Sequence, residues 1–146
     1  MAQADMTLDD IVISRLDSSR QATSSSWLAE ATLDEQRLAG HTLRVVVKTI
    51  PRDLVAHTID VSPSNFSKLY KRKHLSRVQS EDISDLTATW AEMRDIFMNQ
   101  DKLIAEWLDS PLPSLNGRKP SDLLQTLVGR KVLREQLNRL RYGDFS

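Results

Sequence analysis

Ile83, Leu86, Trp90, Met93 and Phe97 recur at spacings of 3, 4, 3 and 4. That period keeps one face of an α-helix apolar, whereas a strand would scatter the same residues over both of its faces. The middle of the chain is thereby committed to a long amphipathic helix whose apolar stripe reads as packing core. Ser80 is expected as its N-cap, with Glu81 and Asp82 in a first turn where the helix dipole favours anions. Composition points the same way. Aromatic residues make up 5% and there are only 4 glycines, which disfavours a β-sandwich and favours helices. The 146 residues suit one compact domain or two small ones.

Several classes of function are excluded early. There is no cysteine, so disulfides, thiol catalysis and cysteine-ligated zinc drop out, in keeping with a reducing cytosol. No apolar run is long enough to cross a membrane, and Met1 to Asp5 do not open a secretory signal. A cytoplasmic protein without membrane attachment is expected. His41, His57 and His74 are scattered, and no metal-binding, nucleophile-elbow or phosphate-loop motif appears. Neither a catalytic nor a metal site is expected, and the chain is read as a non-enzyme.

The net charge of 0 hides strong blocks. Residues 41–78 carry 8 basic and 2 acidic side chains, whereas residues 79–110 carry 2 basic and 8 acidic ones. Residues 1–40 are net acidic and residues 111–146 net basic. The blocks either neutralise each other across the fold or leave a local site for a polyanion, and charge alone favours neither.

Residues 1–26 read as a flexible N-terminal tail rich in Ser, Ala, Asp and Gln. Thr7 to Asp10 offer a capping-box pattern for a short helix inside it. A second such pattern, Thr32 to Glu35, leads to Leu38 and a stop at Gly40. Leu43, Val45, Val46 and Val47 are assigned to a helix ending before Pro51, despite their β-branched character. Leu54, Val55 and Thr58 share a face of the next short helix, opened by Pro51. Ile59 to Val61 form a tight connector, then Ser62 and Pro63 give an N-cap and first-position pair. The helix that follows should turn Phe66, Leu69 and Tyr70 inward. Two short helices so closely joined outline a helix-turn-helix. Beyond the long helix, Leu103, Ile104, Trp107 and Leu108 mark another helix. Pro120 opens one that Gly129 should end, and a last helix carries Val132, Leu133, Leu137 and Leu140 to Gly143.

The helix-turn-helix has definite chemical content. Its second helix would expose Ser62, Ser64, Asn65, Ser67, Lys68 and Lys71. Small polar side chains enter a major groove without clashing, and Asn can pair with adenine in bidentate fashion. Arg72, Lys73 and Arg77, beside Lys71, supply charge for phosphate contacts. A solvated basic turn that touches no DNA is the plain alternative.

From Trp107 onward the residues follow a pattern. Trp107-Leu108 precede Pro111-Leu112-Pro113-Ser114-Leu115-Asn116-Gly117-Arg118-Lys119-Pro120, then Asp122-Leu123-Leu124-Gln125-Thr126 and Gly129. This closely resembles the signature of the Xre/MbcA/ParS-like antitoxins of type II toxin–antitoxin systems. Val132, Leu137, Arg139 and Gly143 match its late positions. Val61-Ser62 and Leu75-Ser76 fall where the family's helix-turn-helix and following Leu-Ser turn lie. The likeness covers roughly residues 45–146, specific in its C-terminal part and generic in its helix-turn-helix. The chain departs from it in that Glu81 to Ala91 contain no arginine.

The resemblance implies an all-α fold, an Xre-type helix-turn-helix bundle over 27–98 followed by a small helical toxin-binding domain over 99–146. It implies an antitoxin that neutralises a RES-domain, NAD-consuming toxin by covering its active site, and binds its own operator to autoregulate transcription. The antitoxin itself would need no cofactor. Its last helix and tail would meet the toxin through Arg139, Leu140, Arg141, Tyr142, Gly143, Asp144, Phe145 and Ser146. Two aromatics at a chain end, Tyr142 and Phe145, are expected to pack on a partner; the alternative is that Phe145 folds back on the protein's own core. A homodimer is expected, because one short recognition helix reads few bases and operators are commonly symmetric. The alternative is a stand-alone helix-turn-helix repressor without a toxin partner.

Overall fold

The computed structural model describes residues 7–17 and 37–143, and every regular element among them is helical. In chain order these are α1 (Leu8–Leu16), α2 (Thr42–Thr49), α3 (Arg52–Thr58), α4 (Pro63–Phe66), a 3-10 segment (Ser67–Lys71), α5 (Arg77–Ile96), α6 (Asp101–Leu108), a 3-10 turn (Pro113–Leu115), α7 (Pro120–Leu123) and α8 (Leu127–Arg141). The all-α expectation holds.

α5 is the central strut, 20 residues long. Ile83, Leu86, Trp90 and Met93 are buried along it, as their spacing requires, and Phe97 caps its end. Its start differs from the expectation. Ser76, not Ser80, is the N-cap, in a reciprocal capping box with Gln79. Ser80 lies one turn inside and is fully buried; its hydroxyl donates to Ser76 O and accepts from Leu38 N. Glu81 and Asp82 therefore stand in the second turn.

The stretch expected to be tail contains α1. Thr7 and Asp10 form the capping box read from the sequence. A nine-residue helix is marginal alone, but Ile11, Val12 and Leu16 are buried. Each such side chain contributes about 1.5–3 kcal/mol on removal from water. Polar contacts fix both ends. Asp9 Oδ1 accepts from Ala39 N at 3.0 Å and from the Thr42 hydroxyl. Arg94 Nη1 donates to Leu16 O at 2.6 Å, and Arg15 donates to Ser84 O at 2.8 Å. Burial lowers the Arg15 pKa to about 10; the positive charge of Arg134 adds to this and Asp85 opposes it. The capping pattern at Thr32 to Glu35 lies outside the described residues.

Leu43 to Val47 form a helix because only a helical period puts Leu43, Val46 and Ile50 in the core while Arg44 and Lys48 stay exposed. A strand would set Val46 beside both cations on one face. One continuous core runs from Val12 through Phe66, Leu86 and Ile104 to Leu137.

Gly40 fixes how closely its segment approaches. It donates to Arg72 O at 3.0 Å. A Cβ there would overlap Leu69 O and stand 2.6 Å from Arg72 O, both backbone atoms. Gly40→Ala is expected to destabilise the chain by about 1–3 kcal/mol, read in chemical denaturation. An unchanged denaturation midpoint would contradict this packing.

Candidate functional site

The two short helices expected on either side of a tight connector are present as α3 and α4, with Asp60 in the left-handed region (φ 55°) between them. Pro63 occupies the first helical position after an extended Ser62. The helix beyond is not uniform. After one α-turn it tightens into 3-10 geometry over Ser67–Lys71. Three residues per turn place Phe66 and Leu69 directly above one another, and both are buried. Ser62, Ser64, Asn65, Ser67, Lys68, Lys71, Arg72 and Lys73 all face solvent.

The basic turn is held from beneath by backbone. Besides the Gly40 contact, Leu75 N donates to Leu38 O at 2.7 Å and Arg37 Nε donates to Leu75 O at 2.7 Å. Lys68, Lys71, Arg72 and Lys73 form no ion pair with any described residue. Arg77 is different. It opens α5 and stands 3.5 Å from Glu81 one turn on.

Two cations escaped sequence reasoning. The Arg44 guanidinium lies over the Tyr70 ring at 4.5 Å, and that of Arg52 lies over Phe66 at 5.3 Å. Phe66 and Tyr70 meet edge to face, 5.6 Å between centroids. Both arginines belong to the basic block of the sequence, but the ring beneath each becomes visible only once α2, α3 and α4 are packed.

The C-terminal end is organised by arginine. The Arg130 side chain is fully buried on α8. It reaches Asp82 at 3.1 Å, Asp85 at 2.5 Å and Leu124 O at 2.9 Å. Arg134 adds a 3.0 Å pair with Asp85. Arg141 reaches Asp95 at 3.2 Å, so the pairs run along both helices in the same direction. Asp82 and Asp85 lie in the stretch Glu81 to Ala91, which contains no arginine of its own. Half of the acidic block's eight carboxylates thus pair with cations of the C-terminal part, whereas Lys68, Lys71, Arg72 and Lys73 pair with no described carboxylate.

Gly129 does not end a helix. It sits in the first turn of α8, donating to the Thr126 cap at 2.9 Å. A Cβ there would overlap Leu123 O, so glycine is needed for α7 to fold against α8. Pro120 does open a helix, but that helix spans Pro120–Leu123 alone.

Of the expected tail residues, Arg139 is exposed, Leu140 packs partly on the core, and Arg141 holds Asp95. Tyr142 is 80% exposed, so its ring does not fold back on the core. Gly143 is left-handed (φ 70°). Asp144, Phe145 and Ser146 lie outside the described residues. Among the described residues no group of three or more His, Asp or Glu could hold a metal, and no helix is long and apolar enough to cross a membrane.

Residues 93–143 match the family described as the antitoxin Xre/MbcA/ParS C-terminal toxin-binding domain. The match begins inside α5 and ends with α8. No curated protein and no solved structure gave a match. The ion cluster that ties Arg130 of this region to Asp82 and Asp85, upstream of it, carries a prediction. Arg130→Met is expected to cost about 1–3 kcal/mol in denaturation, because it leaves the half-buried Asp82 without its partner and Leu124 O without its donor. Arg134→Met, at a more exposed position, should cost clearly less. Equal losses would contradict the ranking.

Proposed function

We propose that this chain, whose residues 93–143 match the C-terminal toxin-binding domain of the Xre/MbcA/ParS antitoxins, neutralises a RES-domain, NAD-consuming toxin by covering the toxin's active site. The family match over 93–143 is the observation that carries the reading. The end of α8 supplies the contact. The Asp95–Arg141 pair holds the last turn to the end of α5, and beyond it an exposed Tyr142 ring projects from the body. A site that consumes NAD must accept planar rings and phosphates. Tyr142 and Phe145 suit the first, and the Asp144 carboxylate suits cationic groups that would otherwise hold phosphate. Arg139, Leu140, Arg141, Gly143 and Ser146 complete the proposed toxin-facing set.

The same protein would bind its operator as a homodimer in the cytoplasm and autoregulate transcription. Support comes from the exposed Ser62, Ser64, Asn65 and Ser67 at the head of the second short helix. Lys68, Lys71, Arg72 and Lys73, which have no ion-pair partner among the described residues, add phosphate-binding charge. Arg77 is the weakest member of this set, because Glu81 stands beside it.

Two measurements test the two halves. Deleting Tyr142 to Ser146 is expected to leave the helical circular dichroism intact while cells expressing the toxin lose protection. Full rescue by the truncated chain would overturn the covering role. Replacing Lys71, Arg72 and Lys73 by Ala should flatten the dependence of operator affinity on salt by about 2–3 in logarithmic slope. An unchanged slope would remove these residues from the interface.

A further inference from the structure

We propose that Arg44 and Arg52 are phosphate-contacting residues that flank the recognition segment, each held ready by an aromatic ring of that segment. The proposal rests on the operator-binding reading above and extends its footprint onto α2 and α3. Both arginines are exposed. Their guanidiniums lie 4.5 Å and 5.3 Å from the ring centroids of Tyr70 and Phe66. Phe66 is fully buried and meets Tyr70 edge to face, so the two rings form a fixed platform. Neither arginine pairs with a described carboxylate, whereas Arg94, Arg130, Arg134 and Arg141 each reach an aspartate.

Stacking engages the face of a guanidinium and leaves its N–H edge open. That edge is a planar fork matched to two oxygens of one phosphodiester. Part of the side-chain entropy is already lost in the free protein, so less is lost on binding. The rings belong to the same short segment as Ser64, Asn65 and Lys68. Each guanidinium is therefore carried at a set offset from the residues proposed to enter the groove. A duplex presents phosphate oxygens beside its groove, within reach of side chains that neighbour a segment inserted there. Lys68, Lys71, Arg72 and Lys73 add unpaired positive charge to the same surface, which favours a polyphosphate backbone over an isolated carboxylate.

The test is a salt-series titration of a labelled duplex spanning the DNA upstream of the protein's own gene. The full chain is compared with R44A, R52A, R44K and the Lys71, Arg72 and Lys73 triple-alanine variant. R44A and R52A should each lower the slope of log affinity against log salt by about one, with helical circular dichroism unchanged. R44K keeps the charge but loses the stack, so it should hold the slope and bind more weakly than wild type. If R44A and R52A retain the wild-type slope while the triple variant lowers it, the assignment is overturned and operator binding stands. If the wild-type chain does not bind the duplex, the inference falls together with the operator-binding reading.

Discussion

The buried guanidinium of Arg130 is the constraint on which the two ends of this protein depend. Taking such a group out of water costs several kcal/mol unless its donors are met. Here Asp82, Asp85 and Leu124 O meet them. The cluster therefore fixes α8 against α5 and ties in the chain just before α8. Because α5 has 20 residues, it is about 30 Å long. Its first turn adjoins the basic segment, and its far end holds Arg141 through Asp95. A partner engaged at one end and a partner engaged at the other would act on one continuous helix.

The same cluster explains the charge pattern. Four of the eight carboxylates of the acidic block, Asp82, Asp85, Asp95 and Asp109, face arginine or lysine of the following block. Of the two readings that charge alone left open, neutralisation across the fold accounts for the C-terminal half. Lys68, Lys71, Arg72 and Lys73 remain, exposed and without carboxylate partners among the described residues. A surface of that kind attracts polyanions in proportion to the charge left over, and salt screens it accordingly.

Much of the architecture was legible because it depends on local chemistry. The stripe from Ile83 to Met93, the Ser62-Pro63 start and the Thr7–Asp10 capping box each specify their own geometry within a few residues. The Trp107 to Gly129 pattern likewise pointed to the antitoxin family. The failures are where distant chain decides. The capping box marks where α1 starts, but what holds it to the body, Asp9 and Arg94 contacts with segments 30 and 78 residues away, has no local signal. Ser80 looked like a cap, but Leu38 needed its hydroxyl inside the fold. Gly129 looked like a helix stop, but it serves close approach to Leu123. The rings beneath Arg44 and Arg52 are invisible to any local rule, because each pair joins residues on different elements. The tail beyond Gly143 carries no local signal that separates self-contact from partner contact, beyond the solvent exposure of Tyr142.

The central claim is that residues 93–143 and the tail beyond them silence a toxin by occupying its active site. The most direct measurement is a titration of the proposed partner, a RES-domain toxin purified from the product of a neighbouring gene, with the intact chain, following NAD consumption. The account predicts a stable complex in which consumption falls to background once the toxin is saturated. A complex that continues to consume NAD at the free toxin's rate, or no complex at all, would contradict it.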